Sequence, residues 1–115
     1  MSRSAVALLV AALALPSLAP AATPAVYRHS KKQAESNLLL SSKPLARWGL
    51  GLVDPRTKLL RDNTIAVCEG RGQPSGGRYQ SFDCALYTRT VVVAVRYTAQ
   101  RDGAFTIRKL SVQRR

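Results

Sequence analysis

The sequence predicts an α+β domain, with one N-terminal helix packed on a four-stranded antiparallel β-meander and one cross-strand disulfide. Three observations carry this expectation. A capped, Leu-bearing stretch over residues 31–42 has helical character and stops near Pro44. Four runs rich in Val, Ile, Tyr and Phe fill residues 64–112 and are separated by turn-forming residues. The chain has two cysteines, Cys68 and Cys84, which straddle Gly76-Gly77 in a strand–turn–strand pattern.

The helix begins at Ser30-Lys31-Lys32-Gln33, which has the form of a capping box. It continues through Ala34, Glu35, Leu38 and Leu39 towards Ser42, with Lys31, Lys32 and Glu35 on its polar side. Lys31 and Lys32 at the first turn oppose the helix macrodipole. Residues 44–63 read in two ways. Pro44-Leu45-Ala46-Arg47-Trp48 can open a second short helix, or Ala46, Trp48, Leu50 and Leu52 can alternate along an extended segment. Asp54-Pro55 marks a turn within it.

The four strands are Thr64–Glu69, Arg78–Tyr87, Val91–Thr98 and Ala104–Val112. Arg71–Gly77 is a turn-rich loop, and Asp102-Gly103 has the chemistry of a tight hairpin. Placing Cys68 opposite Cys84 sets Gly70 against Phe82 and Ala66 against Leu86 on one face, which is assigned to the core. The other face then pairs Val67 with Ala85 and Glu69 with Asp83, two carboxylates that need Arg71, Arg78 or Arg96 nearby. A non-hydrogen-bonded antiparallel position brings two side chains close enough for a bridge. In the third strand Val91, Val93, Val95 and Tyr97 share the core face. Val112 and Leu110 are expected to meet Val93 and Val95 across the hairpin, and the helix over 31–42 covers this face.

Upstream, Met1-Ser2-Arg3-Ser4 precedes the uninterrupted apolar run Ala5–Leu15, then Pro16 and the small residues Ala19-Pro20-Ala21-Ala22. This is the three-part pattern of a secretory signal peptide. Eleven apolar residues extend roughly 16 Å as a helix, about half a bilayer core. Cleavage is expected near Ala21, with Ala25 the alternative. The expected organisation is a signal peptide over 1–21, a flexible segment over 22–29 and a single domain over 30–115, secreted or extracytoplasmic. An exported chain with two cysteines is read as holding one disulfide. Removing residues 1–21 takes away one of the 18 basic residues, Arg3, and none of the 6 acidic ones, so the net charge falls only from +12 to +11.

Catalytic chemistry has little to draw on. His29 is the single histidine, is expected as a solvated side chain in the N-terminal segment, and has no partner for a nucleophile-and-base pair. One histidine and a bridged cysteine pair do not make a zinc site. Glu69 and Asp83 are the one carboxylate pair of the kind glycoside hydrolysis uses, but no saccharide cleft surrounds them in the sequence pattern. The loop Gly70–Gly77 lacks the Gly-Lys-Ser/Thr ending of a phosphate-binding loop. No enzyme, cofactor or metal is expected. Arg71, Arg78, Arg96, Arg108 and Lys109 are the candidate anion-binding residues, because a basic surface binds polyanions through counterion release. An Arg-rich proteome accounts for the charge without any partner, and that reading weighs slightly more.

The motif residues Cys68-Glu69-Gly70-Arg71-Gly72 and Tyr79-Gln80-Ser81-Phe82-Asp83-Cys84 form C-x-G-x-G followed by Y-x-x-F-x-C. Over residues 64–112 the chain resembles small secreted actinobacterial-type proteins of uncharacterised function. That resemblance implies an exported, compact β-rich domain with one disulfide and supplies no catalytic residues. The order of helix then meander is also similar to cystatin-like folds, including secreted enzyme inhibitors, by architecture only. The expected function is a secreted or cell-envelope binding module for an anionic polymer such as a wall polymer. The alternative is a protein-binding or enzyme-inhibitor domain that acts through the Arg71–Gly77 loop.

Overall fold

The computed structural model describes residues 26–115. The signal peptide and both cleavage positions lie outside the described residues. Strand β1 (His29–Ser30) leads directly into helix α1 (Lys31–Leu39) and a second short helix, α2 (Ser42–Ala46). Strands β2 (Ile65–Arg71), β3 (Arg78–Tyr79), β4 (Ser81–Tyr87), β5 (Val91–Ala99) and β6 (Phe105–Arg114) follow. The main sheet has the order β2-β4-β5-β6 and is antiparallel throughout, while β1 and β3 form a separate two-stranded pair. The fold is therefore α+β around a four-stranded antiparallel sheet with one disulfide, Cys68–Cys84.

Ser30 caps α1 as its spacing predicts, its hydroxyl accepting from the Gln33 N–H at 3.1 Å. The helix is shorter than expected and ends at Leu39. The Leu40 N–H bonds back to the Asn37 and Ser36 carbonyls, and the Ser41 hydroxyl donates to the Asn37 carbonyl at 2.7 Å. Ala34 and Leu38, four apart on one face, are buried in the core, whereas Leu40 is largely exposed. Pro44 sits in the first turn of α2, where its missing N–H would have no helical partner.

Of the two sequence readings of residues 44–63, the short helix is the one seen, as α2, and no extended segment runs from Ala46 to Leu52: Ala46 lies in the helix and residues 47–49 form a turn. Leu45 and Leu52 enter the core, and Val53 pairs with Leu60 around a turn opened by Asp54-Pro55. The Asp54 carboxylate accepts the Arg56 N–H at 2.8 Å, which closes that turn from a side chain.

The register of β2 on β4 matches the expectation at every pair, from Ala66 opposite Leu86 to Gly70 opposite Phe82. Cys68 N–H points away from β4 and donates to the Glu35 Oε2 of α1 at 2.8 Å. That direction is the mark of a non-hydrogen-bonded pair, the position from which a disulfide can cross between strands. Both cysteines are buried, with the bridge inside the core cluster. Glu35 thereby ties α1 to the outer edge of β2 with a charge-assisted hydrogen bond.

Val91, Val93, Val95 and Tyr97 are all fully buried on the face that α1 covers. The β5–β6 turn holds Asp102 and Gly103 at φ 54° and 77°, with the Ala104 N–H bonding to the Arg101 carbonyl, a two-residue turn of the kind that Asp-Gly favours. One pairing differs from expectation. Val93 does face Val112, but a bulge between Ala94 and Val95 places Lys109 opposite Val95 and leaves Leu110 exposed. Phe105 and Ile107 pack on the core instead, Phe105 stacking on Tyr97 with ring centroids 5.0 Å apart. The bulge shifts the alternation by one residue, so Leu110 changes face.

Tyr79, Phe82, Tyr97 and Phe105 form a continuous aromatic row, with edge-on contacts between the first three. Tyr79 lies over Gly70, so close that a Cβ built there would stand less than 3.0 Å from three carbons of its ring. The loop between the two cysteines makes its own small hairpin. Ser75 and Arg78 exchange backbone hydrogen bonds around Gly76 and Gly77, both at positive φ. Through β3 it folds back on β1, pairing Tyr79 with His29 and Arg78 with Ser30.

Candidate anion-binding face

The face of the sheet turned away from α1 is organised by register into four rows across the strands. Arg71, Ser81, Thr98 and Thr106 form the first, and Glu69, Asp83, Arg96 and Arg108 the second. The third is Val67, Ala85, Ala94 and Ser111, and the fourth is Ile65, Tyr87, Val92 and Gln113. One half of the face thus carries three arginines, two carboxylates and three hydroxyls, and the other half is apolar except for Ser111 and Gln113 on β6.

An open depression lies over the first half, lined by Arg71, Arg96 and Arg108 together with the hydroxyls of Ser81, Thr98 and Thr106. Arg71 also lines an adjoining hollow with Arg28 and Gln73. Three of the five candidate basic residues are therefore brought together. Arg78 and Lys109 are not: Arg78 belongs to the β1–β3 pair, and Lys109 stands at the bulge opposite Val95. Sequence reasoning misses the hydroxyl row: Ser81 and Thr98 occupy outward positions of their strands, but Thr106 is turned outward by the bulge in β6.

Asp83 is the counter-charge of this depression. Arg96 Nε donates to its Oδ1 at 2.6 Å, and Arg71 Nε stands 3.5 Å from its Oδ2. The expected repulsion between Glu69 and Asp83 is relieved from that side. With Asp83 half exposed, these pairs add at most about 1 kcal/mol each to stability. Their larger effect is on geometry, because they hold two guanidiniums over the sheet in fixed positions.

A second depression lies between the 51–63 segment and the β4–β5 turn. Asp54, Asp62, Arg61 and Arg89 line it, with both signs interspersed. No group of three or more His, Cys, Asp or Glu side chains is placed to hold a metal among the described residues.

His29 corrects an expectation. It is not a solvated tail residue but is 3 % exposed, in β1, under the sheet. Asn37 Nδ2 donates to the Tyr97 oxygen at 2.8 Å, which leaves the Tyr97 hydroxyl to donate to His29 Nδ1 at 2.5 Å. Burial, and secondarily the nearby Arg78 guanidinium, hold the His29 pKa below its ordinary value near 6.5. Burial also raises the Tyr97 pKa, with the Asn37 hydrogen bond acting in the opposite sense.

A depressed histidine pKa means that the unfolded chain takes up the proton first as pH falls. The stability contributed by neutral His29 is complete above about pH 6.5 and is lost as pH drops towards the lower folded-state pKa. Thermal melts between pH 8 and pH 5 should show Tm falling below neutrality, and His29→Gln should flatten that limb. An unchanged slope in His29→Gln would assign the pH dependence to other groups.

No family model, curated protein or solved structure matches the chain.

Proposed function

We propose that the chain is an exported, non-enzymatic binding module that holds anionic polymers on the outer face of its sheet. The observation that carries this reading is the convergence of Arg71, Arg96 and Arg108 on one open depression floored by Ser81, Thr98 and Thr106. Guanidiniums give bidentate, charge-assisted hydrogen bonds to phosphate, sulfate and carboxylate groups. Hydroxyls between them supply further donors. The depression is open, which suits a chain passing across it better than a small enclosed ligand. The disulfide, and the absence of a helix long and apolar enough to span a membrane among the described residues, are consistent with an extracytoplasmic location.

Retention on heparin across a salt gradient tests the reading. The triple variant Arg71→Gln, Arg96→Gln, Arg108→Gln should elute at clearly lower salt. The charge-matched set Lys43→Gln, Arg47→Gln, Arg56→Gln, which lies off the sheet, should elute far closer to the parent. On a single-stranded polyanion the slope of log K against log salt should become shallower by about 2, from three contacts at about 0.7 each. Asp83→Asn should move elution to higher salt, since it removes the carboxylate that competes with the ligand for Arg96 and Arg71. Equal losses in the two triple variants would reduce the binding to bulk charge and overturn the site.

A second reading has one observation in its favour. The loop carrying Gly76 and Gly77 is braced twice, by the disulfide and by β3 on β1. A preformed loop binds a protein with less ordering cost, so it suits the inhibitor-like alternative. Deleting Gln73–Gly77 should abolish capture of a secreted protein partner under that reading and leave heparin retention intact.

A further inference from the structure

The apolar half of the outer face has no use in binding a soluble polyanion. Ile65, Val67 and Tyr87 are 57 %, 41 % and 40 % exposed, and Ala85, Val92 and Ala94 fill the space between them. They form one patch because the register places them in adjacent rows. The depression of Arg71, Arg96 and Arg108 continues the same sheet face on one side, with the carboxylates of Asp83 and Glu69 beside the guanidiniums. Contiguous apolar residues flanked by cations on one face are the pattern of a surface that rests in the boundary between headgroups and acyl chains.

We propose that this face docks on an anionic phospholipid bilayer, with Ile65, Val67 and Tyr87 entering the interface and Arg71, Arg96 and Arg108 holding lipid phosphates. The proposal rests on the arginine cluster of the preceding reading and adds the apolar rows to it. Charge complementarity selects this occupant. A second copy stacked face to face would bring two strongly basic molecules together, both with a net positive charge. A soluble polymer of sulfates or phosphates offers Ile65 and Tyr87 nothing apolar. An anionic bilayer answers both halves at once, with acyl chains for the apolar rows and phosphates for the guanidiniums. The apolar patch is small, so neither half suffices alone, and binding needs both.

The test uses the full chain with a reporter on the face itself, so that contacts made by residues 1–25 do not register. Tyr87→Trp in a Trp48→Phe background places the sole tryptophan in the fourth row, and circular dichroism checks that the fold is kept. Vesicles of phosphatidylcholine mixed equally with phosphatidylglycerol, containing bromolipid, should shift the emission to the blue and quench it. Vesicles of phosphatidylcholine alone should do neither. Replacing Arg71, Arg96 and Arg108 by Gln should weaken the quenching interaction about a hundredfold, at roughly fivefold for each charge near the surface. Ile65→Ser with Val67→Ser should weaken it about tenfold or more while leaving heparin retention unchanged.

Several results would overturn the proposal. They are unquenched emission from the Tyr87→Trp reporter on anionic vesicles, equal quenching on phosphatidylcholine alone, and indifference to the two serines. A concentration-dependent dimer abolished by those serines would assign the patch to self-association instead. Loss of vesicle binding with heparin retention intact removes this inference only. Failure of the arginine variants in both assays removes the site.

Discussion

Gly70→Ala is expected to destabilise the protein by about 3 kcal/mol, at the upper end of what overpacking costs, and to lower Tm by roughly 10–20 °C for a domain of this size. The reason is the ring of Tyr79, which occupies the space a methyl group would need. The ring has nowhere cheap to go. It meets Phe82 edge-on at 5.5 Å, and its backbone is pinned by pairing with His29. Swinging it away gives up the contact that starts the aromatic row. A double-mutant cycle isolates this cause. In a Tyr79→Ala background the added methyl at Gly70 should be neutral or stabilise by up to about 1 kcal/mol, since a strand position ordinarily favours Ala over Gly by about that much. A full penalty in that background would place the strain in the backbone of β2 rather than in the ring.

The second large effect is expected from removing the bridge. Replacing Cys68 and Cys84 together by alanine should lower stability by about 3 kcal/mol, the chain-entropy value for a loop near this length. Denaturant unfolding of the two forms measures it, and the midpoint should move while the slope changes only through the less compact unfolded chain. Because both sulfurs are buried beneath α1, a thiol reductant should open the bridge only as fast as the native state opens. Intact mass of the native protein should be lower by two hydrogens than that of the reduced chain. Identical unfolding midpoints for the parent and the double variant would mean that Glu35, α1 and the aromatic row hold β2 in place unaided.

Most of the sheet is legible in the sequence because two independent constraints agree. Side-chain alternation fixes which residues share a face, and the cysteine pair fixes which residues stand opposite, so every pair of β2 on β4 follows. The bulge at Leu110 is not legible. Nothing local distinguishes Lys109-Leu110 from a regular strand, and the shift serves the packing of Phe105 and Ile107 against the core. His29 escapes the sequence for a related reason. A lone histidine near the N-terminus has no local sign of burial, and its polar partner is Tyr97, 68 residues away, whose oxygen also accepts from Asn37. The C-x-G-x-G…Y-x-x-F-x-C motif is visible as a pattern, and the structure supplies its physics. Gly70 makes room for Tyr79, Gly72 turns the chain at positive φ, and Phe82 receives the edge of the Tyr79 ring. The arginine–hydroxyl depression is less legible: alternation turns Arg96 outward, but Arg108 and Thr106 come to stand beside Arg96 and Thr98 only through the bulge between Ala94 and Val95, and the hydroxyl row emerges only with four strands aligned.

The hydrogen bond from Cys68 N–H to Glu35 has a consequence for how these molecules could pile up. Growth of a ribbon by sheet extension needs each unit to offer two bare borders. In the main sheet the β2 border is guarded by α1, and one of its outward N–H groups is already spent on Glu35. Only the β6 border lacks a neighbour among the described residues, and Arg108, Lys109 and Arg114 with the local irregularity at Leu110 make it a poor template for a like-charged copy. Two units joined along β6 would present a helix-guarded margin at either end, so the geometry stops at a pair and offers no repeating route to a fibre.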